Sequence, residues 1–228
     1  MQFSPRKRHP DCPKLILHYD DVYKGCNVQQ YAGKPLVRQY LDSAIATIDQ
    51  AVKDPRYTRI FAFRVDLRYP NAMPWLSLHD NSKVMKHFLA HVNYELQAAN
   101  TKYNTPMRYI WAREQNNSEL PHYHVMFLLN YDAFNRIGDM HPDPNGRYTK
   151  NNLYHRVVRA WANAIGWPQE EAGGLVHVCR SPDGGYGQCA HHEDVDAIRE
   201  IFYTASYLCK AHTKPIGQQI HTFSTSRI

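Results

Sequence analysis

A chain of 228 residues is long enough for one well-cored domain with a small appendage. Lysine and arginine number 27 against 21 acidic residues, a net charge of +6 with a pI near 9.0, and this balance points toward phosphate-bearing partners. Five cysteines (Cys12, Cys26, Cys179, Cys189, Cys209) without framework spacing, and no signal peptide or apolar run of transmembrane length, exclude a disulfide-stapled or membrane-spanning class and predict a reduced, soluble, cytoplasmic protein.

In chain order, residues 1–35 carry Pro, Gly, Lys and Tyr without sustained period and read as an extended arm, with the basic run Arg6-Lys7-Arg8 near its start. Leu36 to Val52 places Leu41, Ile45, Ile48 and Val52 at helical spacing. Thr58 to Leu67 is a strand with Phe61, Phe63 and Val65 on one face, followed by a turn over Pro70–Pro74. Asn81 to Asn100 reads as a second helix, capped by Asn81 or Ser82. Met107 to Glu114 and Val125 to Tyr131 are strands joined by the polar stretch Gln115–Leu120 and Pro121. Asp139 to Gly146 is a loop, Leu153 to Ile165 a third helix ended by Gly166, and Leu175 to Cys179 a short strand before a glycine-rich loop. Asp194 to about Lys210 is the last helix, with Glu193, Asp194 and Asp196 at its positive end. The order predicts an α+β domain over residues 36–228, a central antiparallel sheet with helices against it.

His122 and His124 lie at i and i+2 at the start of one strand, which puts both imidazoles on one face and Tyr123 on the other. A hairpin returns Glu114 opposite them, giving two imidazoles and a carboxylate that suit a divalent metal ion with open coordination positions. The carboxylate favours Mg²⁺ or Mn²⁺, while the imidazoles accept Zn²⁺, Fe²⁺ or Ni²⁺ equally well. A second set, His177, Cys179, Cys189 and His191, offers zinc-type ligands across the glycine-rich loop but lacks a Cys-x-x-Cys knuckle.

On the last helix, Val195, Ile198, Phe202, Ala205 and Cys209 form the stripe expected to pack on the body. Glu200, Tyr203, Tyr207 and Lys210 share a second stripe roughly opposite, so two phenols and an ammonium point together away from the packed face.

In this order, Glu114 with His122-x-His124 and then Tyr203-x-x-x-Tyr207-x-x-Lys210, the chain resembles the HUH endonucleases of rolling-circle replication, in the two-tyrosine class of inovirus and prophage replication proteins. The resemblance implies an HUH/Rep-like sheet of split ferredoxin (RRM-like) type in a bacterial host cell. It implies a metal held by His122, His124 and Glu114, and Tyr203 and Tyr207 as nucleophiles assisted by Lys210. It further implies nicking and joining of single-stranded DNA at an origin hairpin or specific site through a 5′-phosphotyrosine, with Mg²⁺ or Mn²⁺ as cofactor. Arg6, Lys7, Arg8, Arg64 and Arg113 are the expected DNA contacts. The expected protein is a monomer that relies on a host helicase and polymerase, since no helicase domain is present. Tyr123 stands where that superfamily carries a bulky apolar residue. The alternatives are a DNA-binding replication or transcription regulator with an inactive site, and a non-haem iron oxygenase, which leaves the tyrosine pair without a role.

Overall fold

A computed structural model of the chain describes residues 6–73, 81–103, 105–115 and 120–226. Four two-residue strands come first, β1 (Leu17–His18), β2 (Val22–Tyr23), β3 (Cys26–Asn27) and β4 (Leu36–Val37), with β1 paired to β4 and β2 to β3. They are followed by α1 (Arg38–Val52), β5 (Arg59–Arg68), α2 (Asn81–Gln97), β6 (Arg108–Glu114) and β7 (His122–Asn130). Then come α3 (Leu153–Ile165), β8 (Val176–Val178), β9 (Gln188–His191), α4 (Val195–Ser206) and β10 (Phe223–Thr225).

The six larger or later strands form one antiparallel sheet in the order β10-β6-β7-β5, and the outer edge of β5 is shared by β8 and β9. Helices α2 and α3 cover one face, over Phe61, Phe63, Val65, Trp111, Tyr123 and Phe127. Helices α1 and α4 cover the other, over Ile60, Ala62, Ile110, Ala112, Met126 and Leu128. The unbroken apolar run of β7 follows from this: a central strand buried on both faces has no solvent side to mark with polar residues. The α+β expectation holds, with the sheet between two helical layers.

Helix α3 begins where Asn152 accepts a hydrogen bond from the His155 amide and ends at Gly166, whose φ of +66° suits only a residue without a β-carbon penalty. Asp194 caps α4 in the same way through the Ala197 amide. The cap expected from Asn81 or Ser82, Pro74 of the expected turn and most of the Gln115–Leu120 connection lie outside the described residues.

Several boundaries differ from the sequence expectation. Leu36 and Val37 are extended rather than helical, because they pair with β1 and Leu36 also bridges to Lys210. The arm packs as well: Tyr23 and Val28 are buried with α1 and α4, and the Gln29 amide donates to Ser206 Oγ at 2.8 Å. The last helix stops as an α-helix at Ser206 and tightens into a 3₁₀ turn over Tyr207–Cys209. Its expected packed stripe holds for Phe202, Ala205 and Cys209, while Val195, in the first turn, is exposed. All five cysteines are free thiols, and no helix among the described residues is long and apolar enough to cross a membrane.

Asp54, just beyond α1, ties that helix to the sheet. Its carboxylate accepts from Arg56 Nε at 2.7 Å and Nη2 at 2.5 Å, and from Arg108 Nη2 of β6 at 3.2 Å. The Arg56 hydrogen bonds, chiefly, hold its pKa at about 2. A depressed carboxylate contributes stability above its unfolded pKa of about 3.9, and that contribution is lost as pH falls through the folded value. Asp54→Asn is therefore expected to cost about 1–2 kcal/mol at neutral pH and much less near pH ~2. Urea titrations at both pH values test this, and an undiminished penalty in acid would contradict it.

Candidate metal centre

The registers of three neighbouring strands decide which side chains meet. Glu114 of β6 lies opposite His122 of β7, and His124 lies opposite Asp66 of β5, all on the face shared with α1 and α4. His124 Nε2 sits 3.2 Å and His122 Nε2 3.7 Å from Glu114 Oε2, and the three residues can offer ligand atoms within 4.8 Å of one another. Donor atoms about 2.0–2.2 Å from a common ion stand about 3–3.5 Å apart, so the set is close to ligand spacing.

Proton placement makes the case sharper. His124 Nδ1 lies 2.5 Å from Asp66 Oδ1, and an ionised carboxylate can only accept, so the shared proton belongs on Nδ1. Burial alone would raise the Asp66 pKa, but the bond to His124 and the Arg64 charge leave it lowered. In the neutral imidazole, Nε2 is then a bare acceptor. It is buried, has no hydrogen-bond partner among the described residues, and faces the carboxylate oxygen of Glu114, another acceptor. Either a proton on Nε2 or a metal ion joins it to Glu114 Oε2, and a carboxylate on the opposite ring nitrogen is the arrangement that orients a metal-binding histidine. The residues therefore fit a divalent ion.

Glu114 is also held from its other side. Lys210 Nζ lies 3.0 Å from Oε1 and donates to Oε2 at 3.2 Å, and Lys214 Nζ lies 3.7 Å from Oε1 while donating to the Lys210 carbonyl at 2.7 Å. Burial would raise the Glu114 carboxyl, but His122, His124 and the Lys214 charge bring it well below the usual carboxylate range. Burial lowers the Lys214 ammonium to about 8 despite the attraction of Glu114.

The end of α4 delivers the phenol. The Tyr207 ring meets the His124 ring edge-on at 5.2 Å, with Arg64 at 4.3 Å and Lys210 Nζ at 3.5 Å from its centroid. Tyr203, one turn earlier, is 37% exposed, and its side chain makes no ring or hydrogen-bond contact among the described residues. The shared stripe of the two tyrosines thus splits: Tyr207 packs against His124 of the candidate group, and Tyr203 faces solvent.

Of the expected DNA contacts, Arg64 lies on the site face, packed on Tyr207. Arg6, Lys7 and Arg8 are exposed on the arm. Arg113 is a correction. Strand alternation that turns Glu114 toward the histidines turns Arg113 the other way, where it is 3% exposed in register with Tyr123, so it is a core residue and not placed to touch DNA. Tyr123 itself packs among Tyr69, Trp111 and Trp161 on the opposite face of the strand. The zinc-type set does not assemble among the described residues: Cys179 is buried beside Arg64 and Asp66, whereas Cys189 and His191 pair with the far end of β5. His191, His192 and Glu193 do come together, but at the surface ahead of α4.

Sequence reasoning missed Asp66 and Lys214. Asp66 had a signal, since it shares strand parity with Arg64 and opposes the apolar Phe61, Phe63 and Val65. Lys214 had none, because it lies in an irregular segment whose path only the folded chain reveals.

Two proteins of Escherichia coli (strain K12) are similar to this chain. The uncharacterized protein YagK is 27% identical over 194 residues, covering 76% of this chain and 86% of that protein. The uncharacterized protein YfjJ is 26% identical over 201 residues, covering 84% and 88%. No solved structure matches the chain. The model of the YagK/YfjJ C-terminal domain matches residues 20–226, which takes in β2, β3 and the second half of the arm, and the chain accordingly belongs to the YagK/YfjJ C-terminal domain family.

Proposed function

We propose that this protein nicks and rejoins single-stranded DNA by metal-assisted transesterification on a tyrosine. Its biological role would be to initiate rolling-circle replication of a phage, prophage or related mobile element with the help of a host helicase and polymerase. The observation that carries this reading is the meeting of Tyr207 with the Glu114–His122–His124 group, whose ligand atoms lie within 4.8 Å of one another. A phosphodiester repels nucleophiles, so cleavage needs charge neutralisation and an in-line attacker held in place. Bound Mg²⁺ or Mn²⁺ would polarise the scissile phosphate.

The chain's own residues supply the remainder. The Tyr207 oxygen forms a bond to phosphorus as the bond to the 3′-oxygen breaks; the phenol proton passes to solvent and the departing 3′-oxygen takes one up. The tyrosine keeps the 5′-phosphate, and the free 3′-hydroxyl can prime synthesis. One ester replaces another, so the reverse attack rejoins the strand. Arg64 and Lys210, on the Tyr207 ring, add positive charge beside the phosphate. Tyr203, one turn away and open to solvent, would take a second strand while Tyr207 is loaded.

Incubation with origin-bearing single strands and Mn²⁺ is expected to give a protein–DNA adduct that survives boiling in detergent and disappears with chelator. His122→Ala and His124→Ala should abolish it, His122→Ala with thermal unfolding nearly unchanged and His124→Ala with a lowered transition because it leaves the Asp66 carboxylate unpaired, and normal cleavage by either would remove them as ligands. No adduct across a broad panel of strands and metals would favour a DNA-binding regulator instead.

Tyr207→Phe should reduce first-strand cleavage at least ~100-fold. Tyr203→Phe should cleave nearly normally yet lose transfer between two cleaved ends. The opposite assignment in an oligonucleotide cleavage and strand-transfer assay would overturn the order of attack.

Asp66→Asn should weaken Mn²⁺ binding roughly 10- to 100-fold, since the amide no longer fixes the His124 proton on Nδ1. Calorimetric titration checks this, and unchanged affinity would remove Asp66 from the centre.

A further inference from the structure

Glu114 Oε2 has neighbours of two kinds. It lies between the imidazole nitrogens of His122 and His124, and it also accepts the Lys210 ammonium at 3.2 Å. An ion held by the two imidazoles and Oε2 would leave Lys210 beside a divalent charge and contesting the same oxygen. Lys214 does not share that conflict. Its ammonium stands on the Oε1 side, fully buried, and is fixed by donation to the Lys210 carbonyl at 2.7 Å.

On the proposed metal-dependent reading of this site, we infer that a divalent ion and the Lys210 ammonium exchange on Glu114, with Lys214 as the counter-charge that stays. Released from the carboxylate, the ammonium keeps its contact with the Tyr207 ring 3.5 Å away, and so is directed to the side where phosphate and phenol meet. The Lys210 backbone cannot follow, because it bridges to Leu36 and the next amide donates to the Pro35 carbonyl at 3.0 Å. The motion is confined to the side chain. Metal loading and delivery of a cation to the reacting phosphate thereby become one event, and the centre does not present that cation before it holds its ion. Lys214 is a positioning residue here: it holds the carboxylate with Oε2 toward the imidazoles and keeps Glu114 partly neutralised through the exchange.

Two measurements on the full chain test this. The first is lysine acetylation read residue by residue by mass spectrometry, with and without saturating Mn²⁺, on wild type whose Mn²⁺ binding is measured in parallel. Lys210, 5% exposed, is expected to label slowly without the ion and about 10-fold faster with it, while Lys214 stays protected in both. The second is Lys210→Met, which by linkage should bind Mn²⁺ about 5- to 100-fold more tightly even as its DNA cleavage falls. Normal Mn²⁺ binding with unchanged Lys210 labelling, or weaker binding in Lys210→Met, would overturn the exchange and leave the metal centre standing. Wild type that binds no Mn²⁺ would overturn both.

Discussion

His124 Nε2 and Glu114 Oε2 meet across 3.2 Å in a buried setting, and the surrounding residues are arranged about the proton or metal ion that joins them. Asp66 holds a His124 proton on Nδ1. The two lysines give the carboxylate positive neighbours on its far side. Buried acceptors of this kind are costly unless a proton, an ammonium or a metal ion joins them.

The sheet makes that arrangement rigid. Glu114, His122, His124 and Asp66 sit on three adjacent strands whose registers are fixed by apolar packing on both faces, and a one-residue slip of any one strand would carry its members of the group to the opposite side. The tyrosine comes from outside the sheet and needs its own anchor. The arm supplies it, through the Gln29 amide on Ser206, the Leu36 bridge to Lys210 and the Ala211 amide on the Pro35 carbonyl. The small strands of the arm therefore belong to the site's construction, in keeping with a family match that starts at residue 20.

Much of this was legible in sequence because it rests on local period and order. The i, i+2 histidines, the hairpin that returns Glu114 and the helical period before Tyr207 each follow from spacing within one element or across one turn. What escaped reading depends on contacts between distant segments. Strands β9 and β10 are short and weakly apolar, and they exist because sheet edges needed partners. The 3₁₀ turn that separates Tyr207 from the α-helical course of Tyr203 coincides with the arm's grip on residues 206–211. Arg113, an expected DNA contact, is buried because a sheet covered on both faces has little exposed surface to give.

The central claim is that Tyr207, beside the Glu114–His122–His124 centre, carries the DNA. The direct measurement is to trap the adduct on a single-stranded oligonucleotide with Mn²⁺, digest protein and DNA, and locate the nucleotide-bearing residue by mass spectrometry. The account predicts a 5′-phosphonucleotide on Tyr207 after a single cleavage. A nucleotide on a residue remote from the centre, or none on any residue in a preparation that binds Mn²⁺ and single-stranded DNA, would contradict it.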